Sequence, residues 1–176
     1  MKIGKTLDNR GMSLVELVIV MAIMAVVGGI SIYGLSMISS KPLEQCAKKI
    51  EIALENHRVT AMGKSTGVGN TWMELYTGAD DSVWVREHVE GSEKETRIGE
   101  STVTVYYGFG TETEIPGTLT QLTSTPLRVV FDRSSGSLSQ PVTGGQVLWF
   151  VIRRGADTTT ERCVKVTTLT GRVSVQ

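Results

Sequence analysis

RGMSLVELVIVMAIMAVVGGISIYG, residues 10–34, decides how this chain is read. From Leu17 to Ile38 there are 22 residues without a charge. As a helix rising ~1.5 Å per residue they reach roughly 33 Å, enough to cross a hydrocarbon core of about 30 Å. Just before this run stands a single carboxylate, Glu16. A carboxylate at the edge of an apolar segment is expensive unless something neutralises it, so its presence asks for a partner or a local role.

The charge distribution around the run supplies orientation. The whole chain has formal net charge zero, but its first eleven residues carry Lys2, Lys5 and Arg10 against Asp8, which leaves a mildly acidic remainder of 15 Lys plus Arg against 17 Asp plus Glu. A basic flank before the apolar run keeps the N-terminus cytoplasmic and sends everything after Ile38 to the other side of the membrane. A cleaved secretory signal fits poorly, because its apolar core is usually ~7–15 residues and ends in an A-x-A-like site. Here Gly28, Gly29 and Ser31 follow instead. A single-pass anchor accommodates the run but leaves Glu16 unexplained.

Two roles for Glu16 follow from its position. Ser13 and Glu16 have the spacing of a capping box, each satisfying a backbone N–H at the helix start, and the helix dipole favours a carboxylate there. Alternatively, proteolysis between Gly11 and Met12 frees an amine on Met12, four residues before Glu16. In a bundle of staggered helices, one chain's amine then neutralises the next chain's carboxylate in a low-dielectric core.

A short basic leader ending in Gly11, followed by MSLVELVIVMAIMAVV with Glu as its fifth residue, resembles the class III signal of type IV prepilins and type II secretion pseudopilins. The resemblance covers residues 5–38. It implies cleavage after Gly11 by a prepilin peptidase, methylation of the Met12 amine, and registration of each subunit through Glu16. It further implies a single-pass precursor in the cytoplasmic membrane, N-terminus inside, then extraction by an inner-membrane assembly platform into an extracytoplasmic filament of pilin or pseudopilin subunits. Where many members have Phe as the first mature residue, this chain has Met12.

Beyond Ile38 the pattern becomes one-sided. Leu43, Cys46, Ala47, Ile50, Ala53, Leu54 and Ala61 recur at helical spacing, with Lys48, Lys49, Glu51, Glu55 and Arg58 on the opposite face. Pro42 restricts Lys41 and predicts a kink or interruption there. Gly28, Gly29 and Gly34 form a second soft region, at about 1 kcal/mol each relative to Ala. Gly63 is a natural stop. Segments 71–76, 82–89, 101–108, 127–132, 146–154, 162–168 and 172–175 are rich in Val, Thr, Tyr and Trp and read as strands. Turn residues separate them, and the last two form a hairpin around Leu169–Gly171.

The fold class expected is α+β: a pilin-like lollipop whose long N-terminal helix, apolar in its first half and amphipathic in its second, packs on an antiparallel β-sheet head. Its parts are a leader over 1–11, a transmembrane and filament-core helix over 12–40, and a half-helix plus sheet head over 41–176.

Within the pilin class, the head is similar to H-type pseudopilins and FimT-like minor pilins. Arg58 and Ala61 match the helix end, Phe131, Asp132 and Gly136 a strand–turn, and Thr170, Gly171 and Arg172 the terminal turn. Some FimT-like members bind DNA through a terminal Gly-Arg-x-Arg. Here the run is Gly171-Arg172-Val173-Ser174, without the second arginine. That departure and the acidic mature chain both argue against duplex binding. The function implied is a minor pilin or H-type pseudopilin, with a major pilin or a DNA-uptake pilin as alternatives.

No catalytic constellation can be assembled, and neither cofactor nor metal is expected. His57 and His88 read as surface or half-buried spectators. GKST at 63–66 fails as a phosphate-binding loop, because the position five before Gly63 is Arg58 and the run follows a helix. Asp80 and Asp81 read as a solvated turn. Cys46 and Cys163 have two readings. One is a disulfide closing a loop of over a hundred residues, at ~4–5 kcal/mol in the chain-entropy model; the other is a pair of small buried hydrophobes. The tryptophans, with Tyr106, Tyr107 and Phe109, read as core and sheet-face residues. Strand alternation leaves one of the two tyrosines exposed. The Thr-rich segment 110–126 reads as a variable surface loop or as a partner contact.

Overall fold

A computed structural model describes residues 14–64, 71–141, 146–155 and 157–176, with the backbone alone for residues 27–40 and 64. The expected cleavage and methylation positions, Gly11 and Met12, lie outside the described residues, as do the side chains around Gly28, Gly29 and Gly34. The chain divides into two compact units, Met1–Ser39 and Ser40–Gln176. Helix α1 spans Leu14–Lys64, with Glu16 in its first turn and Pro42 in its interior. Pro42 therefore does not interrupt the helix as its sequence context suggests. Burial of Leu43, Cys46, Ala47 and Ile50 directly after it outweighs one missing backbone donor.

In the first unit, residues 14–26 are exposed all round, from Val20 at 41% to Leu14 at 80%. Among the described residues no helix is long and apolar enough to cross a membrane. The uncharged run of the sequence continues through residues 27–38, whose side chains are outside the description.

The second unit sets one face of α1 against β-structure. Its strands are β1 Thr71–Thr77, β2 Val83–Val89, β3 Ser92–Gly99, β4 Thr104–Gly110, β5 Thr120–Gln121, β6 Leu127–Phe131, β7 Leu138–Gln140, β8 Val147–Arg154, β9 Asp157–Thr167 and β10 Val173–Val175. They form not one sheet but two, ordered β3-β2-β1-β6-β7 and β10-β9-β8-β4-β5, with antiparallel pairing throughout. A main core joins Leu43, Ile50 and Leu54 of the helix to Met73, Leu75 and Val129 of the first sheet and to Leu148, Phe150 and Ile152 of the second.

Strand β8 shows why the second sheet is buried on both faces. Six consecutive residues, Val147–Ile152, are buried. Leu148, Phe150 and Ile152 enter the main core, while Val147, Trp149 and Val151 form a second cluster with Cys163. Segment 111–119 covers that outer face. The Trp149 indole donates to the Thr111 carbonyl at 3.0 Å. A Cβ on Gly108 would come within 2.8 Å of both Pro116 Cγ and the Thr118 carbonyl. The Thr-rich segment is thus a tethered cover rather than a free loop. Tyr106 and Tyr107 lie on opposite faces as alternation requires, yet both are half-buried because both faces are covered.

Strand β3 escapes sequence reading because SEKETR is exposed and charged, the composition that blunts a sheet edge. It pairs with β2 through a two-residue turn in which Glu90 and Gly91 both have positive φ, 49° and 87°. That is the backbone a tight hairpin needs, without the usual Asn-Gly signal.

Candidate functional site

The residues that carry the head's family resemblance converge in space. Arg58 leaves the last turns of α1 and its Nε donates to the Gly136 carbonyl at 3.1 Å. Gly136, in the turn between β6 and β7, has φ 66° and its N–H donates to the Asp132 carbonyl. The Asp132 carboxylate accepts from the backbone N–H and hydroxyl of both Ser134 and Ser135. These donors stabilise its charged form and pull its pKa down to about 2. Gly171, in the turn between β9 and β10, has φ 63°, and a Cβ there would land on the Gly136 carbonyl oxygen and 2.9 Å from Arg58 Nε. Helix end and two turns from different sheets therefore meet at one guanidinium. Ala61 and Phe131 are buried beneath them, whereas Thr170 and Arg172 are exposed.

His57, one residue before Arg58, is not the surface spectator its sequence context suggests. It is 2% exposed, its ring centroid is 6.1 Å from that of Phe131, and its Nε2 has no hydrogen-bond partner among the described residues. Burial pushes its pKa down to about 4, so the imidazole is neutral. In periodicity it extends the apolar stripe of α1, a signal masked by its polar type.

On the outer face of the first sheet, Glu74 is 7% exposed. Arg128 donates to it through Nε and Nη2, at 3.1 and 2.8 Å, and Arg86 Nη1 approaches its other oxygen at 3.4 Å. Arg86 also pairs with Glu95 at 2.7 Å. Trp72 sits between the stacked His88 ring at 4.8 Å and the Arg128 guanidinium at 4.4 Å. Paired and hydrogen-bonded, a buried carboxylate is tolerated. No local spacing in the sequence announces this network, because its members come from four strands, β1, β2, β3 and β6.

Cys46 and Cys163 are both free thiols, which removes the bridged reading. Cys46 belongs to the main core, near Gly99, and Cys163 to the outer cluster of the second sheet. Burial raises their pKa values to about 12 and about 11. Asp80 accepts from the Ser82 N–H and hydroxyl within a turn. No group of His, Cys, Asp or Glu able to hold a metal occurs among the described residues.

Glu16 lies in the exposed apolar first unit. Residues 7–32, which include Gly11, Met12 and Glu16, match the family model described as the prokaryotic N-terminal methylation motif. No curated protein matches the chain. Two crystal forms of the type IV minor pilin FimU of Pseudomonas aeruginosa are similar in structure. The first, in space group P21, is 15% identical, covers 78% of this chain and 90% of its own length, and has a TM-score of 0.49. The second, in P65, is 15% identical, covers 76% and 92%, and has a TM-score of 0.48.

Proposed function

We propose that this chain, a type IV pilin-family protein by its N-terminal segment, is a noncatalytic filament subunit, either a minor pilin or an H-type pseudopilin. The observation that carries the reading is the methylation motif over residues 7–32. The physical logic is that residues 14–26 are apolar and exposed around the helix, apart from Glu16. Such a surface needs lipid before assembly and other helices after it. Prepilin peptidase removes residues 1–11 and a methyl group is added to the Met12 amine. The assembly platform then draws the helix into a bundle, where Glu16 registers against the amine of a neighbouring subunit. The paired charges leave no lone carboxylate in the filament core.

Two measurements test this. The intact mass of protein recovered from cells is expected to correspond to a chain beginning at methylated Met12; an intact leader overturns the reading. Glu16→Ala is expected to leave membrane insertion and cleavage unchanged while lowering incorporation into sheared filaments severalfold; wild-type incorporation would remove the registration role.

A further inference from the structure

Between α1 and the edge of the first sheet runs an open groove of about 320 Å³. It exists because the helix does not cover the whole sheet: on β3, Lys94 and Thr96 stay exposed while Ile98 is buried. Its apolar lining includes Ala53, Ile98 and Ile52, the last 47% exposed. Its rim carries Lys49, Lys94 and Arg97, all exposed, and none of these makes an ion pair among the described residues. The lining holds a single acid, Glu87, which lies opposite Lys94 in the β2–β3 register, so the cations outnumber it three to one.

Elsewhere on the head the same chain presents the complement. In TETEIP, residues 111–116, the side chains of Glu112, Glu114 and Ile115 are exposed, Ile115 at 37%. The backbone beneath them is held. Trp149 donates to the Thr111 carbonyl at 3.0 Å and Lys165 Nζ to the Glu112 carbonyl at 3.5 Å, while a Cβ on Gly110 would come within 3.2 Å of the Glu114 carbonyl. The segment is therefore preorganised, with two carboxylates beside an outward isoleucine, and little ordering entropy opposes its docking.

We propose that the acidic Glu112–Ile115 segment of one copy docks in the cationic groove of a second copy, Ile115 against Ile52 and the two glutamates against Lys94 and Arg97. Acidic residues flanking an apolar anchor meet basic residues flanking an apolar floor, which favours encounter and fixes register. The two surfaces belong to different sheets and are not the same patch. The contact is heterologous, the kind that propagates head to tail instead of closing as a two-fold dimer. It concerns the heads alone and does not depend on how the N-terminal helices pack.

The test uses the full chain in detergent micelles, with two differently tagged single variants, Ile52→Cys and Ile115→Cys, at positions where exposure leaves the fold undisturbed. Under mild oxidation, mixing the two is expected to give a disulfide between tags, at least about tenfold above either variant alone. Lys94→Glu/Arg97→Glu in the Ile52→Cys chain is expected to lower that yield by about tenfold. Adding Glu112→Lys/Glu114→Lys to the partner is expected to restore it. Glu16→Ala should leave it unchanged, which separates this contact from helix registration. Like-with-like crosslinks alone, a yield indifferent to the charge reversals, or capture of Ile52→Cys by a different protein only, would each overturn the proposal.

Discussion

Lowering the pH from 7 to 4.5 should weaken the head through His57. In the unfolded chain an imidazole takes up its proton near pH 6.5. In the folded head burial moves this to about 4. Above pH 6.5 neither state is protonated and the full stability is present. As pH falls from 6.5 to 4 the unfolded chain binds a proton that the folded head refuses, so stability drops; below 4 the loss is complete. The interval corresponds to about 3 kcal/mol at most, most of which is lost by pH 4.5. Asp132 acts in a different window. Its lowered pKa, about 2, contributes stability that is lost only as pH falls from its ordinary value through 2. Urea unfolding of the full chain in detergent, followed by tryptophan fluorescence at pH 7, 5.5 and 4.5, separates the two. His57→Leu fills the same place in the apolar stripe without a titrating nitrogen. The variant's unfolding free energy should stay flat by comparison over this range while the wild type falls. Parallel pH dependence in the two proteins would refute the assignment of a neutral, buried imidazole.

Two further outcomes follow from the geometry. Gly171→Ala puts a methyl group onto the Gly136 carbonyl at a residue with φ 63°. It should cost about 2–4 kcal/mol and lower the thermal midpoint, and an unchanged midpoint would contradict the junction. Thiol titration with an aromatic disulfide should be slow in the native state, because Cys46 and Cys163 are buried and their pKa values are raised to about 12 and 11. It should find two thiols in denaturant, and fast native labelling would place one of them at the surface.

What the sequence made legible divides by range. The helix was readable because its spacing is local: Leu43, Cys46, Ala47, Ile50 and Leu54 announce one buried face. His57 continues that stripe four residues after Ala53, hidden by its polar type. Strand β8 was evident as an apolar run, but a run buried on both faces says nothing of what covers it. Only the fold shows the cover to be segment 111–119. The division into two sheets was hidden for the same reason. Pairing β1 with β6, through Met73 and Val129, skips four intervening strands in the sequence, and no periodicity records such a choice.

The same division of range applies to assembly. Glu16 can be noticed by counting four residues from Met12, since helix spacing alone relates them. The groove cannot be found that way: its cations come from residue 49 and from residues 94 and 97, and its acidic complement from residues 112 and 114. Separately, each reads as a solvated charge on a helix or an edge strand, and most such charges contribute little. Their arrangement changes the expectation because an edge strand with a half-covered inner face leaves apolar surface beside them. An apolar floor supplies area for a contact, and the charges decide which end of a neighbour fits. A helix-only filament would tolerate any head of suitable size. A chain that also carries opposite, unlike surfaces on its head constrains both the orientation and the identity of the next subunit.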